Sequence, residues 1–295
     1  MQVQVIDRVT DITPEAFHEK YFKPRVPVVI TGLSRSWPAF SKWTWDYFIS
    51  IVGNEKVGLY NNNRADEHTP VNGYDEEMRF GDYLEMIKKG PVQLRIFLFN
   101  VFKYAPGIVE DFTWPDHLVK GFLKKYPMLF VGGAGSIAHM HYDIDLSHIV
   151  HTQFLGRKRV LLLENRQSPL IYKMPLTVES AASFVDWHEK LDTDNFPALQ
   201  YAKGYTTILE HGDTMFMPAG YWHHMQYLDS GFAMSLRALD ETLPGKLNGF
   251  YHIVPMRLMN NLLIKTAPGW WYHYKRRAAR KNAETAMKRA GVKSS

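Results

Sequence analysis

The stretch from residue 128 to residue 238 alternates short β-prone segments with glycine turns, and this pattern constrains the fold more than any other feature. Turns are indicated at Gly156, at His211-Gly-Asp213, at Pro218-Ala-Gly220 and at Asp229-Ser-Gly231. Short strands at regular spacing are typical of a small antiparallel barrel or sandwich, jelly roll included. We therefore expect a β core, interrupted by a helix at about residues 178–190.

Helical patterns flank this β region on both sides. Capping residues and closing glycines predict helices, and apolar runs predict two further strands. The expected helices are 16–21, 45–52 and 80–89, the expected strands are 26–30 and 93–99, and the chain looks helical again from Gly245. We predict one domain over residues 1–240, with its β core at about 93–240, and a helical extension over residues 241–295.

Composition limits the chemistry that such a core can carry. The chain has 295 residues, 45% of them hydrophobic and 22% charged, which is an ordinary globular balance. It has no cysteine but 13 histidines and 30 acidic residues, so a metal site must use nitrogen and oxygen ligands. Residues 1–8 lack the apolar region of a secretory signal, and no apolar run is long enough to span a membrane. We expect a cytoplasmic protein that makes no membrane contact.

The formal net charge of +5 is concentrated at the C-terminus. Residues 275–295 contain eight basic residues and one acid, which gives this tail a charge of +7, while the other 274 residues carry −2. A solvated helix face is the simpler interpretation of the tail. Contact with RNA or another acidic partner is the alternative.

The segment His141-Tyr-Asp143 contains the first candidate metal ligands. Residues two apart on a strand point to the same face, so an imidazole and a carboxylate can meet at one point. A third ligand must come from elsewhere, and His223, which follows a Gly-Asp turn and a proline turn, is placed to start a strand. Two histidines and one carboxylate with three open positions are the arrangement of non-haem Fe(II) oxygenases.

Three motifs in order give the chain a family resemblance from about residue 10 to residue 240. They are Pro27-Val-Val-Ile-Thr-Gly32 with Trp37-Pro-Ala-Phe-Ser-Lys-Trp43, then His141-Tyr-Asp143 with Gln153-Phe-Leu-Gly-Arg-Lys158, and finally Gly212-Asp213 through Pro218 to Trp222-His223. The chain resembles the JmjC/cupin-like 2-oxoglutarate oxygenases, close to the group that includes the asparaginyl hydroxylase factor inhibiting HIF. The resemblance implies a mainly β fold with a double-stranded β-helix (jelly-roll, cupin) core and added helices.

The same resemblance implies the ligands of the site. His141, Asp143 and His223 would hold Fe(II), and Lys158 would bind the distal carboxylate of 2-oxoglutarate, with O2 as the second cosubstrate. A buried lysine near a metal needs an anionic partner. The alternative is that Lys158 is an exposed member of the basic run 157–159, and strand alternation separates the two cases because it places Lys158 opposite its neighbours.

The chain departs from the family pattern at cosubstrate positions. Ala138 stands where a threonine or serine is frequent, Ile149 falls near the place of a common asparagine, and Arg95 lies where a tyrosine is expected. We therefore predict that Arg95, Arg237 or His151 completes the acid-binding pocket.

Neighbouring residues compete for these roles. His139 is expected to be a wall or packing residue, and Asp145 is a possible substitute ligand that the following loop makes less favourable. His224 should pack outside the barrel, and His148 is expected in a loop.

Taken together, these features predict an Fe(II)- and 2-oxoglutarate-dependent dioxygenase that hydroxylates a protein side chain. An RNA (tRNA) hydroxylase using the basic tail and a cupin that binds metal without catalysis are the alternatives. The partners expected are a protein or peptide substrate, RNA in the alternative case, and a second copy of the chain through the C-terminal helices. The aromatic cluster at 270–274 is expected to serve helix packing.

Overall fold

The computed structural model describes residues 1–63, 73–97, 99–177, 183–187, 191–240 and 242–290. The strands are β1 (Gln2–Val5), β2 (Asp7–Val9), β3 (Val28–Ile30), β4 (Lys56–Tyr60), β5 (Glu76–Arg79), β6 (Arg95–Ile96), β7 (Met128–Gly132), β8 (Ile137–His141), β9 (His148–Leu155), β10 (Lys158–Leu163), β11 (Lys203–Leu209), β12 (Thr214–Met217), β13 (Trp222–Tyr227) and β14 (Gly231–Ala238). The α-helices are α1 (Pro14–Phe17), α2 (Ala39–Lys42), α3 (Trp45–Val52), α4 (Phe80–Lys88), α5 (Leu243–Tyr251), α6 (Arg257–Thr266) and α7 (Pro268–Arg289).

The last eight strands are divided equally between two sheets. One sheet has the order β1-β11-β10-β13-β8, and the other has the order β2-β3-β12-β9-β14-β7-β6-β4-β5. Strands β7, β9, β12 and β14 are therefore neighbours in the larger sheet, and β8, β10, β11 and β13 are neighbours in the smaller one. All pairs within these two sets of four are antiparallel. This is a double-stranded β-helix, which confirms the predicted fold class.

Three apolar clusters hold this core together. The first packs α3 and α4 with Trp37 and Trp43 onto the outer face of the larger sheet. The second lies between the two sheets and includes Ile149, Val160 and Met225. The third covers the outer face of the smaller sheet with residues of 170–174, 184–187 and 191–202 and with α7. The barrel is therefore closed on both outer faces, and its interior is lined by alternate side chains of each strand.

The flanking helices follow their capping signals. The Thr13 and Thr44 side chains accept hydrogen bonds from Ala16 N and Tyr47 N, as expected of N-caps. The helix 45–52 is confirmed, and the helix predicted at 80–89 ends one residue earlier. The helix predicted at 16–21 is an α-turn over Pro14–Phe17 that continues as a π-helix over His18–Phe22.

Some local predictions were wrong. Among its described residues, the segment 93–99 forms a strand at Arg95–Ile96 and an isolated bridge at Phe99. Residues 183–187 of the helix predicted at 178–190 are not helical, and the rest of that range lies outside the described residues. His148 is buried in the first position of β9 rather than in a loop, and its Nδ1 accepts a hydrogen bond from Ala219 N.

The C-terminal extension is helical, as predicted. A short π-helix over His252–Met256, which contains Pro255, joins α5 to α6. Helix α7 buries Ala279 and Ala283 against the insertion that precedes β11, and the Trp271 indole donates to Asn260 Oδ1 at 2.9 Å. Among the described residues, no helix has the length and apolar character needed to cross a membrane.

Candidate metal centre

His141, Asp143 and His223 come together at one end of the barrel. Each offers one ligand atom, and these atoms all lie within 4.8 Å of one another. His141 is the last residue of β8 and is paired across the smaller sheet with His223, near the start of β13. The two imidazole centroids are 4.1 Å apart. Asp143 completes the group because it lies two residues beyond His141.

A change of register beside this group sets which side chains face inward. The pairing of β8 with β13 shifts between His223 and Met225, so that Met225 pairs with Ala138. Irregularities of this kind re-aim side chains and occur next to active sites. Ala138 accordingly packs on the interior cluster, whereas His139 Nε2 donates to the carbonyl oxygen of Asn62 at 2.8 Å. His139 therefore links β8 to the segment after β4 through this hydrogen bond.

The backbone fixes the ring orientation of both histidines. His141 Nδ1 lies 2.6 Å from the His139 carbonyl oxygen, and His223 Nδ1 lies 3.2 Å from the Tyr221 carbonyl oxygen. A carbonyl can only accept, so each Nδ1 carries the hydrogen and each Nε2 keeps its lone pair. An imidazole held in this way is the usual metal-binding form of histidine.

Burial and neighbouring charges keep the three groups in the protonation states that a cation needs. Burial, together with the nearby His223, lowers the pKa of His141 to about 3. Burial also lowers the pKa of His223. Burial alone would raise the pKa of Asp143, but Arg237 and the two histidines outweigh it and leave that pKa below its ordinary value. Two neutral imidazoles and one carboxylate fit a divalent transition metal.

Lys158 lies inside the barrel, with no exposed surface. Its Nζ is 3.2 Å from His151 Nε2 and 4.3 Å from the centroid of the Tyr227 ring. His151 Nδ1 lies 2.7 Å from Ser235 Oγ, so His151 bridges the ammonium and the hydroxyl. Burial lowers the pKa of Lys158 to about 7. Of the two cases weighed for Lys158, the buried one is observed, and no carboxylate of the described chain pairs with it.

Arg95 lies near the start of β8, at the Tyr227 end of the barrel interior. Its Nε donates to the Ile137 carbonyl oxygen at 2.6 Å, and its guanidinium stacks over the Tyr60 ring at 5.6 Å from the centroid. Burial lowers the pKa of Arg95, and its charge acts on both His141 and Tyr227. Arg95 is therefore a second cation close to Tyr227, whose ring contacts the ammonium of Lys158.

Arg237 lies at the metal end of the pocket. Its Nη2 is 3.3 Å from Asp143 Oδ1 and its Nη1 is 3.7 Å from Asp145 Oδ2. Asp145 therefore contacts the arginine and lies outside the group of three ligand atoms. The Nε of Arg237 is buried without a hydrogen-bond partner in the described part of the chain, and the role in cosubstrate binding stays a prediction.

Three other residues singled out in the sequence lie outside the candidate metal site and contribute to packing or to a turn. Ile149 packs in the interior cluster and pairs with Arg237 across β9 and β14. His224 is buried and alternates away from His223, as expected. Asp213 of the Gly-Asp turn is bound through both oxygens by Arg8, at 2.7 and 2.8 Å, and accepts from Glu210 N. Asp213 therefore stabilises the turn before β12 and is not one of the three candidate metal ligands.

Two pocket residues escaped the sequence analysis. Tyr227 pairs directly with Lys158 across β10 and β13, and Ser235 pairs with His151 across β9 and β14. Strand alternation counted from His223 places Tyr227 on the same face four residues on, so this one could have been found. Ser235 could be found only from the pairing of β9 with β14, which the sequence does not specify.

Comparison with known proteins agrees with this geometry. The family model described as a cupin-like domain matches residues 14–239. Lysine-specific demethylase 8 of Xenopus tropicalis is 24% identical over 226 residues, which cover 75% of this chain and 50% of that protein. Jumonji C domain-containing protein 5 of Drosophila melanogaster is also 24% identical, over 75% of this chain and 56% of its own length.

A third relative is matched over more of its length. The tRNA wybutosine-synthesizing protein 5 of Gallus gallus is 25% identical over 266 residues, which cover 83% of this chain and 79% of that protein. The chain spans only about half the length of the demethylase and Jumonji relatives. The family model nevertheless covers well over half of this chain, and the fold and the three converging side chains agree with it. The chain therefore belongs to the cupin-like domain family.

Proposed function

We propose that this protein is an Fe(II)- and 2-oxoglutarate-dependent dioxygenase that hydroxylates a protein side chain. The observation that carries the proposal is the presence of two features inside the same barrel. The three ligand atoms of His141, Asp143 and His223 lie at one end. Lys158, a fully buried cation with no carboxylate partner among the described residues, lies beyond His151 at the other.

In such a reaction, one set of residues would bind the metal and another would bind the cosubstrate. His141, Asp143 and His223 would hold Fe(II), which supplies the activation of O2 when it is bound. A buried ammonium without an opposite charge beside it carries an unfavourable free energy, and a dicarboxylate cosubstrate would relieve it. Lys158 would bind the distal carboxylate, with the Tyr227 phenol and Arg95 beside it, while His151 orients the ammonium. The cosubstrate's 2-oxo acid end would then point toward the three ligands.

The reaction consumes one 2-oxoglutarate and one O2 for each substrate C–H bond and gives succinate, CO2 and one hydroxyl group. The motif resemblance supports hydroxylation as the final outcome. Two of the relatives described above include demethylation or JmjC in their names, and hydroxylation of an N-methyl group is followed by loss of formaldehyde. Product analysis therefore distinguishes a stable hydroxyl group from demethylation.

The test is a turnover assay with purified full-length protein. We expect succinate formation that requires both Fe(II) and 2-oxoglutarate and that rises when a peptide library is added. Mass spectrometry should find peptides that have gained one oxygen atom. The Asp143→Ala variant is the matched control and should give no succinate. Formaldehyde release without an oxygenated product would assign demethylation, and metal binding without any succinate would assign a non-catalytic cupin.

An RNA hydroxylase is a second candidate, and a specific observation favours it. Among the relatives described above, the tRNA wybutosine-synthesizing protein is the one matched over most of its own length. Helix α7 also exposes Arg277, Lys281, Lys288 and Arg289, and its first turns carry Trp270 and Tyr274 stacked at 5.5 Å with an interplanar angle of 15°. Basic residues beside exposed rings suit a single-stranded nucleic acid.

Charge reversal tests this candidate without disturbing the packed face of α7. Arg277, Lys281 and Arg289 are exposed, so replacing them with Glu leaves Ala279 and Ala283 in place. RNA binding through this helix predicts a steep salt dependence that the triple variant flattens. Binding that is equally strong in the variant would remove α7 from the interface.

We further propose that two copies of the chain associate through the C-terminal helices. Several large apolar side chains of this extension are exposed, and exposed apolar surface beyond scattered single residues marks an interface. The most exposed of them are Leu247, Phe250, Leu258, Leu262 and Trp270, each 59–64% accessible.

A further inference from the structure

We infer that Arg237 is a positioning residue that holds Asp143 in a one-oxygen binding mode for the metal. This inference rests on the proposed function, because it concerns the same metal centre. It differs from the cosubstrate role predicted for Arg237. The observation behind it is the contact of Arg237 Nη2 with Asp143 Oδ1, at 3.3 Å, inside the barrel.

The arginine is itself held from the far side of its guanidinium. Arg237 Nη1 lies 3.7 Å from Asp145 Oδ2, so two carboxylates two residues apart share one guanidinium. The three side chains are 18%, 14% and 13% exposed, so water screens these contacts weakly. Arg237 can therefore fix the distance between the two acids after β8.

Asp145 provides a rigid anchor for this arrangement. Its Oδ1 accepts hydrogen bonds from Ser147 N at 3.2 Å and from Ser147 Oγ at 2.9 Å. Leu146 has a positive φ of 50°, and its N–H donates to the Asp143 carbonyl oxygen at 3.0 Å. The turn 143–147 is thus closed by its own hydrogen bonds, and Asp145 offers Oδ2 to Arg237 from a fixed position.

The consequence concerns the number of positions left open on the metal. With Oδ1 engaged by Arg237, Oδ2 of Asp143 would remain to bind a cation. A carboxylate bound through both oxygens would occupy one more position, and two-histidine, one-carboxylate oxygenases need three open positions for a bidentate cosubstrate and O2. Arg237 would therefore preserve the open position.

The test compares wild type with Arg237→Gln and Arg237→Lys by metal binding alone. Calorimetric titration with Co(II) or Mn(II) should show affinity about tenfold lower in R237Q, a change of about 1.4 kcal/mol. The ligand-field absorption of bound Co(II) should change as Asp143 gains freedom to bind through both oxygens. R237K keeps the charge and should recover most of the affinity. The cosubstrate KM should change less than kcat in both variants.

Two controls make each outcome decisive. Arg8→Gln removes a comparable arginine from a buried aspartate outside the metal group and should leave metal affinity and spectrum unchanged. Asp145→Asn removes the anchor only and should give a smaller change of the same kind. Unchanged affinity and spectrum in R237Q, with tight metal binding by wild type, would overturn this inference alone. No metal binding by wild type would instead overturn the proposed function.

Discussion

Lys158 Nζ lies 3.2 Å from His151 Nε2 inside the barrel, so a buried ammonium has a neutral imidazole as its polar partner. Burial and the Lys158 charge hold the pKa of His151 well below its ordinary value, so the imidazole accepts through Nε2 and donates through Nδ1 to Ser235. Neither neighbour neutralises the charge. The surroundings of Lys158 therefore suit an anion. Replacing Lys158 distinguishes its effect on anion binding from its effect on the stability of the fold.

Replacing Lys158 with Met should weaken cosubstrate binding and stabilise the free protein. Loss of a buried charge contact costs about 2–5 kcal/mol of binding free energy, a reduction in 2-oxoglutarate affinity of about 30-fold or more. An apolar side chain of similar length removes an unpaired buried charge, so the unfolding free energy without ligand should rise by about 1–3 kcal/mol. Calorimetry of the Mn(II)-loaded protein and thermal unfolding measure the two effects. Unchanged affinity would remove Lys158 from the cosubstrate site.

Cosubstrate affinity should fall as the pH rises above neutrality. Burial lowers the pKa of Lys158 from 10.5 to about 7, so the free protein loses the ammonium charge above that pH. Bound 2-oxoglutarate favours the charged form, so binding takes up a proton and should weaken by up to about tenfold per pH unit above pH 7. Titrations in two buffers of different ionisation enthalpy count the proton. Lys158→Arg keeps its charge throughout and should give a flat profile.

The lowered pKa of Lys158 also determines how this residue's contribution to stability changes with pH. The unfolded chain holds the Lys158 proton up to a pH of about 10.5, whereas the folded chain releases it from about pH 7. The unfolded state therefore binds more protons between these limits. The contribution of this residue to the unfolding free energy of the ligand-free protein rises with pH in that window. Lys158→Met should lack this rise.

Divalent metal should stabilise the protein with little pH dependence near neutrality. The pKa of His141 is lowered to about 3 by burial and His223, so no proton has to leave that ring on metal binding at pH 6 to 8. At 100 times its dissociation constant a metal adds about 2.7 kcal/mol to the unfolding free energy. His223→Ala and Asp143→Ala should abolish the shift in midpoint. A steep loss of affinity between about pH 7 and pH 6 would contradict the neutral-ring assignment.

Gly132→Ala should damage the cosubstrate end of the pocket. A Cβ at this position would lie 2.6 Å from the Tyr227 ring and 2.7 Å from Ser136 Oγ, both too close for a non-bonded contact. We expect a loss of about 1–3 kcal/mol in unfolding free energy and weaker 2-oxoglutarate binding as the phenol beneath Lys158 moves. Chemical denaturation and calorimetry measure both. Gly90→Ala, where a Cβ meets nothing within 4 Å, is the matched control and should be neutral.

Leu258→Asp with Leu262→Asp should shift the protein toward a monomer. Both leucines are more than 60% exposed on α6, so the change adds charge to the proposed interface without removing core packing. Light scattering after size-exclusion chromatography gives the mass of each species. A wild-type monomer at high concentration would contradict association through these helices.

The β core was predictable because its signals are local. Glycine turns and alternating side chains locate the strands from β7 to β14, and threonine caps locate the helices at 14 and 45. The prediction for segment 93–99 failed because its pairing depends on distant strands: Arg95 and Ile96 pair with β4 and β7, and Phe99 forms an isolated bridge to Leu129. His148 was misassigned for a similar reason, since its place in β9 depends on its pairing with Ala238 of β14.

The sequence by itself determined the ligand types, the family motifs and the face on which Lys158 lies, because each depends on residue identity and strand periodicity. Only the tertiary structure decided the surroundings of the charged groups. Asp145 and Arg237 are 92 positions apart, and Lys158 and Tyr227 are 69 apart, so no local pattern reports their contact. The physical reason is that the charge balance of a buried pocket depends on which strands pair and in which register. That pairing places the guanidinium of Arg237 beside Asp143 and, within the part of the chain that the structure describes, leaves the ammonium of Lys158 without a carboxylate.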